Sequence, residues 1–346
     1  MSHLRKTGEK GIAGQRFCFL KKASDIRRRA VILQFNYKQH VMQRRIFYRD
    51  ILNHCYQRTA DGGVLFYSYS DHLVYFTNYC VQARKHNIHV LALCQMPDHI
   101  HDILSARKVQ DMENFKRDLH SSFAKTYNSY WGIHGPVFEY PYGNAPKKGV
   151  KNGRSAIIYV ANNPVERQLT DRAENYRWGY WAYAFSACPF SDKLVLRDAS
   201  APMAKAVKEV RAQFNRGLPM NYAMLKRMFS ALNPAECQQL TDFIISTYNV
   251  IDFESASRYF EDDMLHAMHV NTSKEHDLNE LFIGKSDKPY QKMIQIVLEE
   301  GGMQDIHDML SLDKADKQKL LQLLRRRTDV MTEQIGKFLH LPIKRA

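Results

Sequence analysis

Short apolar runs punctuated by turn residues dominate the first half of the chain, and helix-period patterns dominate the second. Residues 45–58 carry Ile46, Phe47, Tyr48, Ile51, Leu52 and Tyr56 and predict a first strand, broken by Asp61-Gly62-Gly63. Over 70–87, Leu73, Phe76, Tyr79, Cys80 and Ala83 fall near helical spacing, with Asp71 close to the start. The run 88–93 and the segment 99–104 flank Pro97-Asp98 and predict strand, turn, strand. A long helix is expected over 109–130, with Phe115, Leu119, Phe123 and Tyr127 on one stripe and Lys116, Arg117 and Lys125 on a solvated face. A strand at 137–142, a loop at 143–153 and a helix over 155–166 follow. The order β, α, β, β, α, β, α predicts an α+β fold: an antiparallel sheet with helices on one face.

Beyond Pro189 the composition turns to helix formers. Helices are predicted at 203–214, 222–231, 235–248, 253–268, 290–298, 314–326 and 332–339, an all-α C-terminal domain over 186–346. Asn233-Pro234-Ala235-Glu236 is a helix start, with Pro at the first helical position. The stretch 314–341 looks like the first two helices of a helix-turn-helix, but too few residues follow for a recognition helix; a plain helical bundle fits equally.

Charge narrows the class of partner. The 346 residues carry a formal net charge of +14, which points to a polyanion. Residues 1–50 hold thirteen Lys and Arg against Glu9, Asp25 and Asp50. Arg27, Arg28 and Arg29 are at the densest part of a basic extension over 1–43, which either lies along phosphates or is a solubilising tail. Cys18, Cys55, Cys80, Cys94, Cys188 and Cys237 form no Cys-x-x-Cys pair, as expected of reduced thiols in a cytoplasm. No apolar run approaches the ~20 residues that span a bilayer, and the basic N-terminus lacks the apolar core of a secretory signal.

The candidate chemistry begins with His99 and His101. Side chains two apart on a strand share a face, so the two imidazoles would project together as half of a divalent-metal site, although such a pair also arises by chance. Further along, Tyr159 and Asn163 are four apart on the predicted helix and share its face. Asn163 precedes Pro164, which disfavours helix there, so Asn163 either stays on that face or caps a new helix beginning at Pro164.

Three segments carry a resemblance: MPDHIH at 96–101, YVANNPV at 159–165 and YRWGYWAY at 176–183. In this order and spacing they resemble the single-tyrosine HUH transposases, in particular the REP-associated tyrosine transposases, over about residues 44–185. The resemblance implies a ferredoxin- or RRM-like HUH palm and a strand-transferring endonuclease acting on single-stranded or hairpin DNA. It further implies Tyr159 as nucleophile, forming a 5′-phosphotyrosine, and His99, His101 and Asn163 as ligands of Mg²⁺ or Mn²⁺. A DNA-binding descendant that has lost cleavage is the alternative. A basic RRM-type RNA-binding module is a third reading, but the aromatic strand signature of that class is absent. Monomer and homodimer are both left open.

Other residues have two readings. Lys147, Lys148, Lys151 and Arg154 precede the tyrosine helix and are either phosphate contacts or solvated charges. Tyr176, Trp178, Tyr180, Trp181 and Tyr183 either stack bases or pack over the sheet. Asp102 points away from the histidines and, if buried, needs a partner.

Overall fold

Ser68 opens the first helix by a reciprocal cap: its hydroxyl accepts from the Asp71 amide, and the Asp71 carboxylate accepts from the Ser68 amide at 2.8 Å. The computed structural model describes residues 46–139, 142–261, 263–270 and 286–341. Its first half follows the expected order: β1 (Leu52–Arg58), α1 (Tyr69–Lys85), β2 (His89–Met96), β3 (His99–Ser105), α2 (Val109–Trp131), β4 (Gly143–Lys147) and α3 (Gly149–Glu166). The four strands form one antiparallel sheet in the order β2-β3-β1-β4. Helix α2 ends at Gly132, whose φ of +65° is the left-handed conformation that glycine adopts at least cost.

Alternation along the strands sorts the core into two layers. Cys55, Val90, Leu93, Ile100 and Leu104 meet α1 and α2 on one face. Leu91, Cys94, Met96 and Ile103 meet Ala156, Ile157, Val160 and Ala161 of α3 on the other. The helices after β1 and β3 thus share one face, and the tyrosine helix crosses the face that bears the histidines.

Several expectations change. The last strand is Gly143–Lys147 rather than 137–142, and α3 begins at Gly149, inside the expected loop. Gly, Asn and Pro are poor strand formers, but β4 lies at the sheet edge, where the N–H that Pro146 lacks is not required. Lys116 does not lie on a solvated face. It is 3% exposed and ion-paired with Asp102, itself 1% exposed, which supplies the partner that this buried carboxylate needs.

The expected division at 186 does not separate two cores. Helices Ala201–Asn215, Tyr222–Phe229 and Pro234–Tyr248 share the layer of α1 and α2 through Val207, Leu225 and Ile244. The helix expected at 253–268 is two short ones, Phe253–Ser257 beside β2 and Met264–Val270 against α3. A third core joins Pro289–Glu299, Lys314–Arg327 and Thr332–Phe338 to Val64 and Tyr67. Within Thr332–Phe338, residues Gln334 to Phe338 are all buried. The second helix of the expected helix-turn-helix therefore faces protein from Gln334 onward, with Thr332 and Glu333 exposed at its start.

A buried network ties this part to the palm. His307 contacts both Asp71 carboxylate oxygens at 3.0 Å and Asp305 at 2.7 Å, and stacks on Trp131 with ring centroids 3.7 Å apart. Burial opposes the imidazolium, but Asp71 and Asp305 outweigh it and lift its pKa to about 9. A raised pKa contributes stability that is complete below the unfolded value of ~6.5 and is lost as pH rises towards 9. Urea titrations from pH 6 to 10 are expected to show a loss on the order of 2 kcal/mol that His307→Gln abolishes. A pH profile unchanged by that substitution would contradict the assignment.

Candidate active site

The His-x-His pair stands on β3, where alternation turns His99 and His101 towards α3 while Ile100 enters the opposite core. Both are buried, at 1% and 0% exposure. Across from them, α3 is continuous through Asn163-Pro164, with Pro164 in its last turn. Asn163 therefore stays on the helix face of Tyr159 rather than capping a new helix. Its Nδ2 donates to His101 Nε2 at 3.1 Å, and the His101 and Tyr159 ring centroids lie 5.6 Å apart, edge to face. The structure thus brings His99, His101, Asn163 and Tyr159 into one cluster.

A third histidine joins them. His54, on β1, contacts His101 Nδ1 through Nε2 at 3.0 Å and lies 5.5 Å from Tyr159, centroid to centroid. Because His101 Nε2 accepts from Asn163, its Nδ1 carries the proton and donates to His54. Burial first, then the charges of His99, His54 and Arg58, hold the His101 pKa well below the ordinary value, so the ring is neutral near pH 7. Period-two alternation places His54 on one strand face with Tyr56 and Arg58, but the sequence does not say which strand lies beside β3. His99 in turn contacts Asp98 Oδ1 through Nδ1 at 2.7 Å. Burial disfavours the Asp98 carboxylate, but Lys337 and His99 outweigh it and hold its pKa below the usual range.

The donor set fits a divalent cation. It offers two imidazoles and one amide, and the Asn163 Oδ1 is buried with no hydrogen-bond partner. Among the described residues no three His, Cys, Asp or Glu side chains form a metal group, and a cation held by His99 and His101 would draw its third protein donor from Asn163. With no carboxylate among them, these donors carry no charge to balance a cation, and oxygen from water or phosphate must complete the shell.

Tyr127 lies away from this cluster. It is buried against Phe123 and Tyr222 in the layer on the other sheet face. The expected basic loop is dispersed. Lys147 is 4% exposed at the end of β4 and is not a surface phosphate contact. Lys148 and Lys151 are exposed beside the start of α3, Lys148 over the Tyr48 ring at 3.5 Å. Arg154 is half-buried, 5.8 Å from the Phe260 ring. Arg27, Arg28 and Arg29 lie outside the described residues. The aromatic segment packs rather than waiting for bases: Trp178 stacks on His72 at 4.1 Å, Tyr180 on Phe76 at 4.4 Å, and Tyr176 OH donates to the Gln95 carbonyl.

No family model and no curated protein matches the chain. Among solved structures it is similar to a REP-associated tyrosine transposase bound to a REP hairpin, with 11% identity and a TM-score of 0.34 over 41% of this chain and 82% of that one. No helix of the described residues is long and apolar enough to cross a membrane.

Proposed function

We propose that this protein is a metal-dependent, single-tyrosine endonuclease and strand transferase that acts on single-stranded DNA near hairpin or palindromic repeats. The observation that carries the reading is the convergence of Asn163 and Tyr159, one helical turn apart on α3, upon His101 of β3. The quartet comes from motifs more than fifty residues apart in sequence, and packing of α3 on the histidine face unites them.

In the reaction, the Tyr159 hydroxyl gives up its proton and its oxygen bonds to phosphorus as the P–O3′ bond breaks. The departing 3′ oxygen takes up a proton, and the 5′ phosphate stays on the enzyme as a phosphotyrosine. A phenol of pKa ~10 leaves readily, so the same bond can be attacked by a 3′ hydroxyl to rejoin strands. Mg²⁺ or Mn²⁺ held by His99, His101 and Asn163 would draw charge from the non-bridging phosphate oxygens. His54 keeps the proton of His101 on Nδ1, so that its Nε2 is the nitrogen with the lone pair. Lys148 and Lys151, with the net charge of +14, suit the phosphate backbone of the substrate. Tyr159 is 5% exposed, so a scissile phosphate reaches its hydroxyl only if the surrounding side chains give way.

A hairpin with single-stranded flanks is expected to be nicked in one flank with Mg²⁺ or Mn²⁺ and left intact with EDTA. Tight hairpin binding without nicking in either metal would instead favour a DNA-binding protein that has lost cleavage.

A further inference from the structure

Lys337 is an anomaly of the C-terminal helices. It stands in Thr332–Phe338 among buried neighbours, is 3% exposed itself, and makes an ion pair with Asp98. An ammonium group is costly to bury unless paired, so the pairing must be specific. Both partners sit on fixed backbone. The Asp98 carbonyl accepts from the Thr59 amide at 3.1 Å, and that of Pro97 from Leu65 at 2.8 Å. On the other side, Tyr67 OH donates to the Phe338 carbonyl and His340 Nε2 to that of Val64, each at 2.6 Å.

The Asp98 carboxylate is thereby engaged at both oxygens, Oδ2 by Lys337 and Oδ1 by His99 Nδ1. A carboxylate so held can only accept, which keeps the His99 proton on Nδ1 and leaves the lone pair on Nε2. We propose that Lys337 is a positioning residue: from the C-terminal helices it fixes the Asp98 carboxylate and, through it, the ring orientation and tautomer of His99. The consequence for cation binding rests on the reading of His99 as a ligand. The C-terminal helices are then part of the construction of the palm's site.

The test exploits the asymmetry of an amide. In Asp98→Asn the amide oxygen must serve Lys337, so its NH₂ group faces His99 Nδ1 and the ring proton moves to Nε2. Adding Lys337→Met removes that demand, and the amide can turn its oxygen back to His99. Full-length, metal-free protein with ¹⁵N-labelled histidine reports the tautomer directly through its ring nitrogens, His99 being identified by loss of its signals in His99→Ala. Wild type is expected in the Nδ1–H form, Asp98→Asn in the Nε2–H form, and the double variant with Nδ1–H regained. Mn²⁺ binding, followed by electron paramagnetic resonance without DNA, is expected to weaken roughly tenfold or more in Asp98→Asn and to recover in part in the double variant. An Asp98→Asn protein that retains the wild-type tautomer, or one in which Lys337→Met changes nothing, would overturn the proposal. Should Asp98→Asn fail to fold, the double variant, which buries no unpaired charge, still decides: the Nδ1–H form is expected there, and a ring held in the Nε2–H form would overturn the proposal. A tautomer switch as described, in a wild type that binds no Mn²⁺, supports the positioning role and overturns the metal reading alone.

Discussion

Replacing either His99 or His101 with alanine is expected to reduce cleavage of a hairpin substrate by roughly a thousandfold, and replacing both by no more than that. A thousandfold corresponds to about 4 kcal/mol of transition-state stabilisation, within the range a bound cation supplies to a developing phosphoryl charge. The single and double variants should coincide because the residues act as one unit: once one donor is lost, the other holds nothing useful. The rings are 4.9 Å apart, centroid to centroid, and His101 also contacts both His54 and Asn163. Hairpin affinity measured on each variant separates loss of chemistry from loss of fold. Full cleavage by the double variant in Mg²⁺ would remove these histidines from the site.

The second large effect concerns stability. Lys116→Met should destabilise the protein by about 3–5 kcal/mol, because it leaves the Asp102 carboxylate buried without its cation. Asp102 is on the sheet face opposite the histidines, 1% exposed, and its ion pair with Lys116 lies within the α1 and α2 layer. Replacing both, as Asp102→Asn with Lys116→Met, removes the uncompensated charge and should recover most of the loss. Urea unfolding of the three proteins measures this directly. A single variant as stable as wild type would mean that water reaches Asp102 in solution.

The element order was legible because strand and helix periods differ, and each segment up to α3 keeps its own. His99 and His101 stood out as i, i+2 on a strand, whereas Tyr159 and Asn163 were singled out by the family resemblance, their i, i+4 spacing saying only that they share a helix face. The misplaced strand has a local cause: Gly143, Asn144 and Pro146 read as loop, and only the edge position in the sheet makes them a strand. Lys116 was misread because a charged residue beside other charges looks solvated, whereas Asp102 on another element decides its place. Asn163-Pro164 left open whether the helix ends. It continues to Glu166, and the Arg167 amide still donates to the Asn163 carbonyl at 3.0 Å, so the last turn forms in spite of Pro164. His54 and Lys337 were invisible for one shared reason: their roles depend on strand order and on a helix far along the chain, and neither leaves a local pattern.

In the proposed reaction Tyr159, beside a cation held by His99, His101 and Asn163, attacks the DNA phosphate. The most direct measurement is to trap the protein on a hairpin substrate with a labelled single-stranded flank in Mn²⁺, digest it, and locate the nucleotide-bearing peptide by mass spectrometry. A 5′-phosphorylated tyrosine is expected at position 159, absent with EDTA and absent from Tyr159→Phe, which should still bind the hairpin with nearly wild-type affinity. A nucleotide on any other tyrosine, or an adduct that persists in Tyr159→Phe, would contradict it.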